Sequence, residues 1–161
     1  LGILGLKVIR WAKEWEKDGS PYTPITEYPL LSVCTPAVHD STTLRQWWYE
    51  EKDKEALARG ISVPSLGEEP TEETVEFFID SLLKSRSAIC ILQIQDFFAL
   101  DNKVCDEDIH FERINIPGTV QEANWSYRIS LQVEDLLNNK NLSKKISSLV
   151  STRKAEKITL D

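Results

Sequence analysis

The sequence predicts an α/β fold built on parallel strands, and three observations point there. Short apolar runs end in proline or polar residues, amphipathic helical stretches fall between them, and the runs lack the polar–apolar alternation of a half-exposed strand. Strands separated by helices make βαβ units with right-handed crossovers, and such folds gather ligands at the carboxyl ends of their strands.

Leu4-Gly5-Leu6-Lys7-Val8-Ile9 is the first strand-length run. Trp11 to Pro29, rich in Gly, Pro and Tyr, reads as a long loop opened by a helical turn at 12–17. The second run, Leu30-Leu31-Ser32-Val33-Cys34-Thr35, is closed by Pro36. After Asp40 the pattern turns helical. Ser41, Thr42 or Thr43 can cap, and Leu44, Trp47 and Trp48 recur at i, i+3, i+4 in a helix running to about Leu57 and ended by Gly60. An acidic loop, Pro64 to Pro70, follows. Thr71 then caps a helix whose Glu72 and Glu73 suit the N-terminal dipole, with Val75, Phe78, Ile79, Leu82 and Leu83 as its apolar stripe. Ser87 to Ile94 is the third buried strand, and Asp96 can cap a short turn through Leu100. A polar loop, Asp101 to His110, leads to a fourth strand-like segment, Glu112 to Ile116, ended by Pro117-Gly118. The chain is helical again from about Val133.

Composition excludes several classes. The chain has 161 residues, with 19 Lys+Arg against 26 Asp+Glu and a net charge of −7, which argues against a binder of nucleic acid phosphates. Hydrophobic residues at 41% and charged ones at 28% suit an ordinary globular domain. No apolar run approaches the ~18 residues of a membrane span. With no Met and a start at Leu1-Gly2-Ile3, the chain reads as a piece of something longer. Cys34, Cys90 and Cys105 show no CxxC spacing, so reduced thiols in a cytoplasmic protein are expected. There is no GxGxxG, GKS or GxSxG motif, and two histidines give no metal-ligand spacing; neither metal nor organic cofactor is implied.

The residues just after each strand are the candidates for function. His39-Asp40 follows the second strand and puts an imidazole beside a carboxylate at the open end of the sheet. The alternative is that Asp40 caps the next helix and His39 is an ordinary loop residue. Gln95-Asp96 and Asn115 follow the later strands, with helix capping again the simpler reading for Asp96. The five tryptophans, Trp11, Trp15, Trp47, Trp48 and Trp125, supply aromatic faces that stack on sugar C–H groups, although any single one is more often structural.

Taken together, several motifs resemble one family. They are Leu1-Gly2-Ile3-Leu4-Gly5-Leu6-Lys7-Val8, Tyr28-Pro29 before Ser32-Val33-Cys34-Thr35-Pro36, His39-Asp40-x-x-Thr43-Leu44-Arg45-x-Trp47-Trp48, Gln95-Asp96, and Arg113-Ile114-Asn115-Ile116-Pro117-Gly118-Thr119 with Asn124-Trp125-x-x-Arg128. In this order, over Leu1 to about Leu137, they resemble the C-terminal part of a 4-alpha-glucanotransferase of the amylomaltase and plant-type disproportionating group. The resemblance implies part of a (β/α)8 TIM barrel, with residues 1–140 as barrel and 141–161 as a helical tail. It implies transfer of alpha-1,4-glucan units from a maltooligosaccharide donor to a sugar acceptor with retention, without cofactor. It also implies that the nucleophilic Asp and the acid/base Glu lie upstream of Leu1. The third family carboxylate maps to Asp40 as a transition-state stabiliser, and a sugar-binding His to His39. Asn115 matches a family asparagine near the sugar chain, Trp11 is expected to stack on sugar from the loop before Tyr28-Pro29, and Arg128 is expected to pair with a buried carboxylate. Where the family carries a Phe- and Asp-bearing loop, this chain has Trp11-Ala12-Lys13-Glu14-Trp15.

A barrel of about 250 residues closes only with eight strands, and this chain offers roughly four. The piece alone is therefore expected to be inactive and marginally soluble, with open edges. The rival expectation is a non-catalytic carbohydrate-binding or interaction module. An unrelated flavodoxin-like domain would need a phosphate loop that the sequence lacks.

Overall fold

Two apolar runs and the start of a third pair side by side in a single parallel sheet. The computed structural model describes residues 4–13, 20–51, 54–61 and 67–153. Strands β1 (Gly5–Val8), β2 (Ser32–Thr35) and β3 (Ile89–Cys90) lie in the order β1-β2-β3, so each crossover moves to the next strand. The register sets Leu6 against Val33 and Val33 against Ile89; one residue on, Lys7 meets Cys34 and Cys34 meets Cys90. Period-2 geometry turns these two rows to opposite faces. Cys34 is fully buried on the helix side. In the other row Leu6 is 59% and Ile89 44% exposed, so the strands are not buried on both faces as expected from their apolar runs.

Among the described residues, the helices cover the Cys34 face of the sheet. Helix α1 (Leu44–Glu50) begins at Thr43, whose side chain accepts from the Gln46 amide at 3.4 Å, and α2 (Lys54–Ile61) follows. Helix α3 (Glu72–Leu83) is capped by Thr71 through the Thr74 amide at 3.3 Å, and all five predicted stripe residues are buried. Phe78 is the hub of an aromatic cluster, with ring centroids 5.6 Å from Trp47, 5.4 Å from Trp48 and 5.3 Å from Phe77. Helix α4 (Ile94–Phe98) leaves β3 after three residues, and α5 (Val133–Asn138) and α6 (Lys140–Ser151) form the helical C-terminus. Leu142 and Leu149 carry α6 into the core beside α3, and the Lys145 ammonium ties Glu72 (2.5 Å) to the Leu100 carbonyl (2.8 Å). No helix among the described residues is long and apolar enough to cross a membrane. All three cysteines are free thiols.

Four further expectations change. The single helix after Asp40 is two segments, α1 and α2. Gly60 does not end a helix but lies inside α2. An added Cβ there would sit 2.1 Å from the Tyr22 carbonyl oxygen, so the glycine lets two backbones touch. Gly60→Ala is therefore expected to lower stability by about 1–3 kcal/mol in urea titration, despite the roughly 1 kcal/mol that alanine normally adds to a helix; a more stable variant would contradict this contact. The third strand is short, because Ile94 already starts α4. The fourth segment is not a strand, so the described residues hold three strands rather than four. Its backbone bonds go elsewhere, with the Asn115 amide donating to the His39 carbonyl at 3.2 Å and Ile114 accepting from the Trp125 amide at 2.7 Å. Most of the helical turn expected at 12–17, and residues 64–66 of the acidic loop, lie outside the described residues.

Candidate functional site

Beyond Thr35, the chain leaves β2 in a tight turn. The Ser41 amide donates to the Val38 carbonyl at 2.9 Å, and the Ser41 hydroxyl accepts from the Val38 amide at 3.0 Å. His39 and Asp40 occupy the tip, with side chains 56% and 45% exposed. Because Thr43 supplies the cap of α1, the Asp40 carboxylate is left to other partners, which excludes the capping alternative. The Asn115 side-chain amide donates to Asp40 Oδ1 at 2.7 Å, and His39 Nε2 stands 3.3 Å from the same oxygen. Arg113 locks the second segment onto the first, donating to the Asp40 carbonyl at 3.2 Å and to the Asn115 carbonyl at 2.9 Å. Three sequence-predicted residues, separated by up to 76 positions, thus converge on one mouth.

Trp125, which the sequence left as a structural residue, joins them. Its ring centroid is 5.2 Å from that of His39, inclined by 38°, and the residue is 66% exposed. No sequence pattern links position 125 to position 39; the connection exists only in the loop geometry. Trp11 instead lines a shallow cleft of about 310 Å³ beyond β1, with Leu6, Lys7 and Thr23. Trp47 and Trp48 are core residues, and Trp15 lies outside the described residues.

Behind the mouth, buried charges brace the start of α1. Contrary to expectation, Asp96 does not cap the turn after it but sits inside α4, where it accepts from the amide of the N-cap residue Gln93 at 3.3 Å and from the Leu44 amide at the start of α1 at 3.1 Å. Burial pushes its carboxyl up to about 6. Glu112, which the sequence did not single out, is buried against the Arg45 guanidinium at 2.7 Å and takes the Thr43 hydroxyl at 2.7 Å; burial raises its carboxyl to about 7. Arg10 donates to the Thr42 hydroxyl and carbonyl, both at 2.5 Å, and lies over the Trp47 ring at 5.4 Å, with burial lowering its guanidinium to about 10. It is Arg45, not Arg128, that pairs with the buried carboxylate. Arg128 lines a hollow of about 270 Å³ with Arg113, His110 and Tyr127 and makes no ion pair among the described residues. Those residues also contain no cluster of three or more metal-ligating His, Cys, Asp or Glu.

A carboxylate, an imidazole and an amide at one mouth offer both acceptors and donors to a neutral, hydroxyl-rich ligand. A parallel strand, β2, that carries the imidazole and the carboxylate just beyond its carboxyl end belongs to an α/β unit of the kind that binds ligands at strand tips. Comparison narrows the class: the chain belongs to the 4-alpha-glucanotransferase family, glycoside hydrolase family 77, whose profile matches residues 1–133. It is 35% identical over 155 residues to a 4-alpha-glucanotransferase of Chlamydia caviae, covering 94% of this chain and 28% of that protein. It is 30% identical over 156 residues to the rice (Oryza sativa subsp. japonica) 4-alpha-glucanotransferase DPE2, covering 94% of this chain and 16% of that one. The chain thus spans little more than a quarter of the length of the bacterial relatives it matches. Among solved structures, the Streptococcus agalactiae amylomaltase in complex with acarbose superposes with a TM-score of 0.65 at 20% identity, over 94% of this chain and 27% of that one. The Corynebacterium glutamicum amylomaltase gives 0.59 at 17% identity, over 92% and 25%.

Proposed function

We propose that this chain is the C-terminal part of a retaining 4-alpha-glucanotransferase barrel, which moves alpha-1,4-glucan units from a maltooligosaccharide donor to a sugar acceptor in the cytoplasm without a cofactor. The observation that carries this reading is the Asp40 carboxylate held by Asn115 and His39 at the tip of β2. Retention calls for a nucleophilic carboxylate and an acid/base carboxyl about 5–5.5 Å apart; both would come from upstream sequence. The Leu6–Val33–Ile89 row, exposed at Leu6 and Ile89 and partly buried at Val33, supports the barrel, since a closing barrel would bury that face among its inward side chains.

Within that site Asp40 accepts hydrogen bonds from hydroxyls of the donor sugar at the cleavage point. These bonds strengthen as the ring flattens and gains positive charge, so they lower the barrier more than they tighten the substrate. Asn115 spends one amide hydrogen on Asp40 and keeps the carboxylate aimed outward. His39 offers its imidazole to a neighbouring hydroxyl. Trp11, in its separate cleft, is a contact for a more distant sugar of the chain.

The test is Asp40→Ala in the full-length protein containing this chain. Glucose release from maltotriose is expected to fall by about 10²–10³, the usual cost of removing one transition-state partner, while the melting temperature stays put because the side chain is half exposed. Unchanged turnover would remove Asp40 from the mechanism. Maltotriose binding without any glucose release by the unaltered protein would favour a non-catalytic binding module.

A further inference from the structure

The loop from Asn115 to Trp125 is tied to itself before any ligand is considered. The Asn124 side chain accepts from the Ile116 amide at 3.1 Å and donates to the Thr119 carbonyl at 3.1 Å and hydroxyl at 3.2 Å. Gly118 makes the turn with φ +76°, a value glycine adopts freely. Trp125 has φ +64°, and among the described residues it is the only non-glycine with a positive φ. A bulky side chain in the left-handed region is a strained outlier, and such residues persist where something over-determines them. Here the braced loop and the Trp125 amide bond to the Ile114 carbonyl at 2.7 Å do so. The result sets a largely exposed indole against His39, at the mouth shared with Asp40 and Asn115.

This indole lies against the His39 imidazole and outside the core cluster, and a residue needed only for its backbone shape would be glycine. We propose that Trp125 is a sugar-binding residue. One part of the indole backs the His39 imidazole, and its exposed remainder stacks on the C–H face of a pyranose ring whose hydroxyls are taken by His39, Asp40 and Asn115. This rests on the glucan-transfer reading above and deepens it.

Substitution separates the ring from the backbone. In the full-length protein, Trp125→Gly relieves the left-handed backbone and is expected to melt no lower than the unaltered protein, while binding maltotriose about tenfold more weakly by calorimetry. Trp125→Phe, which keeps an aromatic face, should recover most of that affinity. With 5-fluorotryptophan incorporated, the fluorine resonance missing from Trp125→Phe identifies Trp125, and maltotriose should shift it. Wild-type affinity in Trp125→Gly, or a resonance that ignores maltotriose while binding proceeds, would overturn the proposal. If Asp40→Ala still lowers turnover by about 10²–10³ in that case, the transferase reading survives and only the role of Trp125 falls.

Discussion

Arg45→Ala is expected to destabilise the protein by about 3–5 kcal/mol at pH 8.5 but by only about 1 kcal/mol at pH 5. Arg45 holds Glu112 at 2.7 Å and reaches the Asp106 carbonyl at 3.2 Å, in a place where Glu112 is almost wholly inaccessible to water. At high pH the substitution strands a buried carboxylate; at low pH that carboxyl is already protonated and only hydrogen bonds are lost. Urea titrations at the two pH values check it, and equal penalties would show that Glu112 keeps its charge throughout. The unaltered protein carries the same dependence. Glu112 is raised from 4.5 to about 7 and Asp96 from 3.8 to about 6, both by burial. Folded values above unfolded ones mean stability that is full below about pH 4 and lost as pH rises toward 7, up to ~3 kcal/mol from each group. Asp101 acts in the opposite sense. The Asn139 amide holds its carboxylate below the usual range, so stability is lost as acid protonates it. Stability should therefore peak in mildly acidic solution.

Phe78→Ala is expected to cost about 3–5 kcal/mol, measured in the same titration, and to unfold a large share of the molecules. Phe78 is inaccessible to solvent and touches Trp47, Trp48 and Phe77, so its removal leaves a void among three large rings that cannot all collapse into it. Phe78→Leu should recover about half of the loss, because part of the volume returns. A loss under about 1 kcal/mol in Phe78→Ala would mean that the cluster is not packed as described.

Helix α3 was legible because its signals are local: a threonine cap, two glutamates in the first turn and a stripe at helical spacing. Strands β1 and β2 were legible as apolar runs bounded by glycine and proline. The third run misled because an apolar stretch alone does not separate strand from helix; Ile91 faces solvent and Ile94 begins α4. Glu112 to Ile116 looked like a strand, yet its amides and carbonyls are spent on His39 and Trp125, partners that no local pattern could name. For the site, adjacency made His39-Asp40 visible, whereas Asn115 stands at the end of a predicted strand that does not form and reaches the site through its amide bond to the His39 carbonyl instead. The Asp40–Asn115 bond, the burial of Glu112 and the stacking of Trp125 depend on chain segments that meet only after folding.

Asn124 braces its loop with bonds made wholly within that loop, to Ile116 and Thr119. A glucan arriving there would meet a surface already frozen into shape, so little chain entropy is surrendered on association. Under the proposed glucan-binding role, discrimination among sugars would fall to hydroxyl stereochemistry: an epimer that turns one hydroxyl away from the carboxylate would lose that bond outright, because a stiff rim does not bend to follow it.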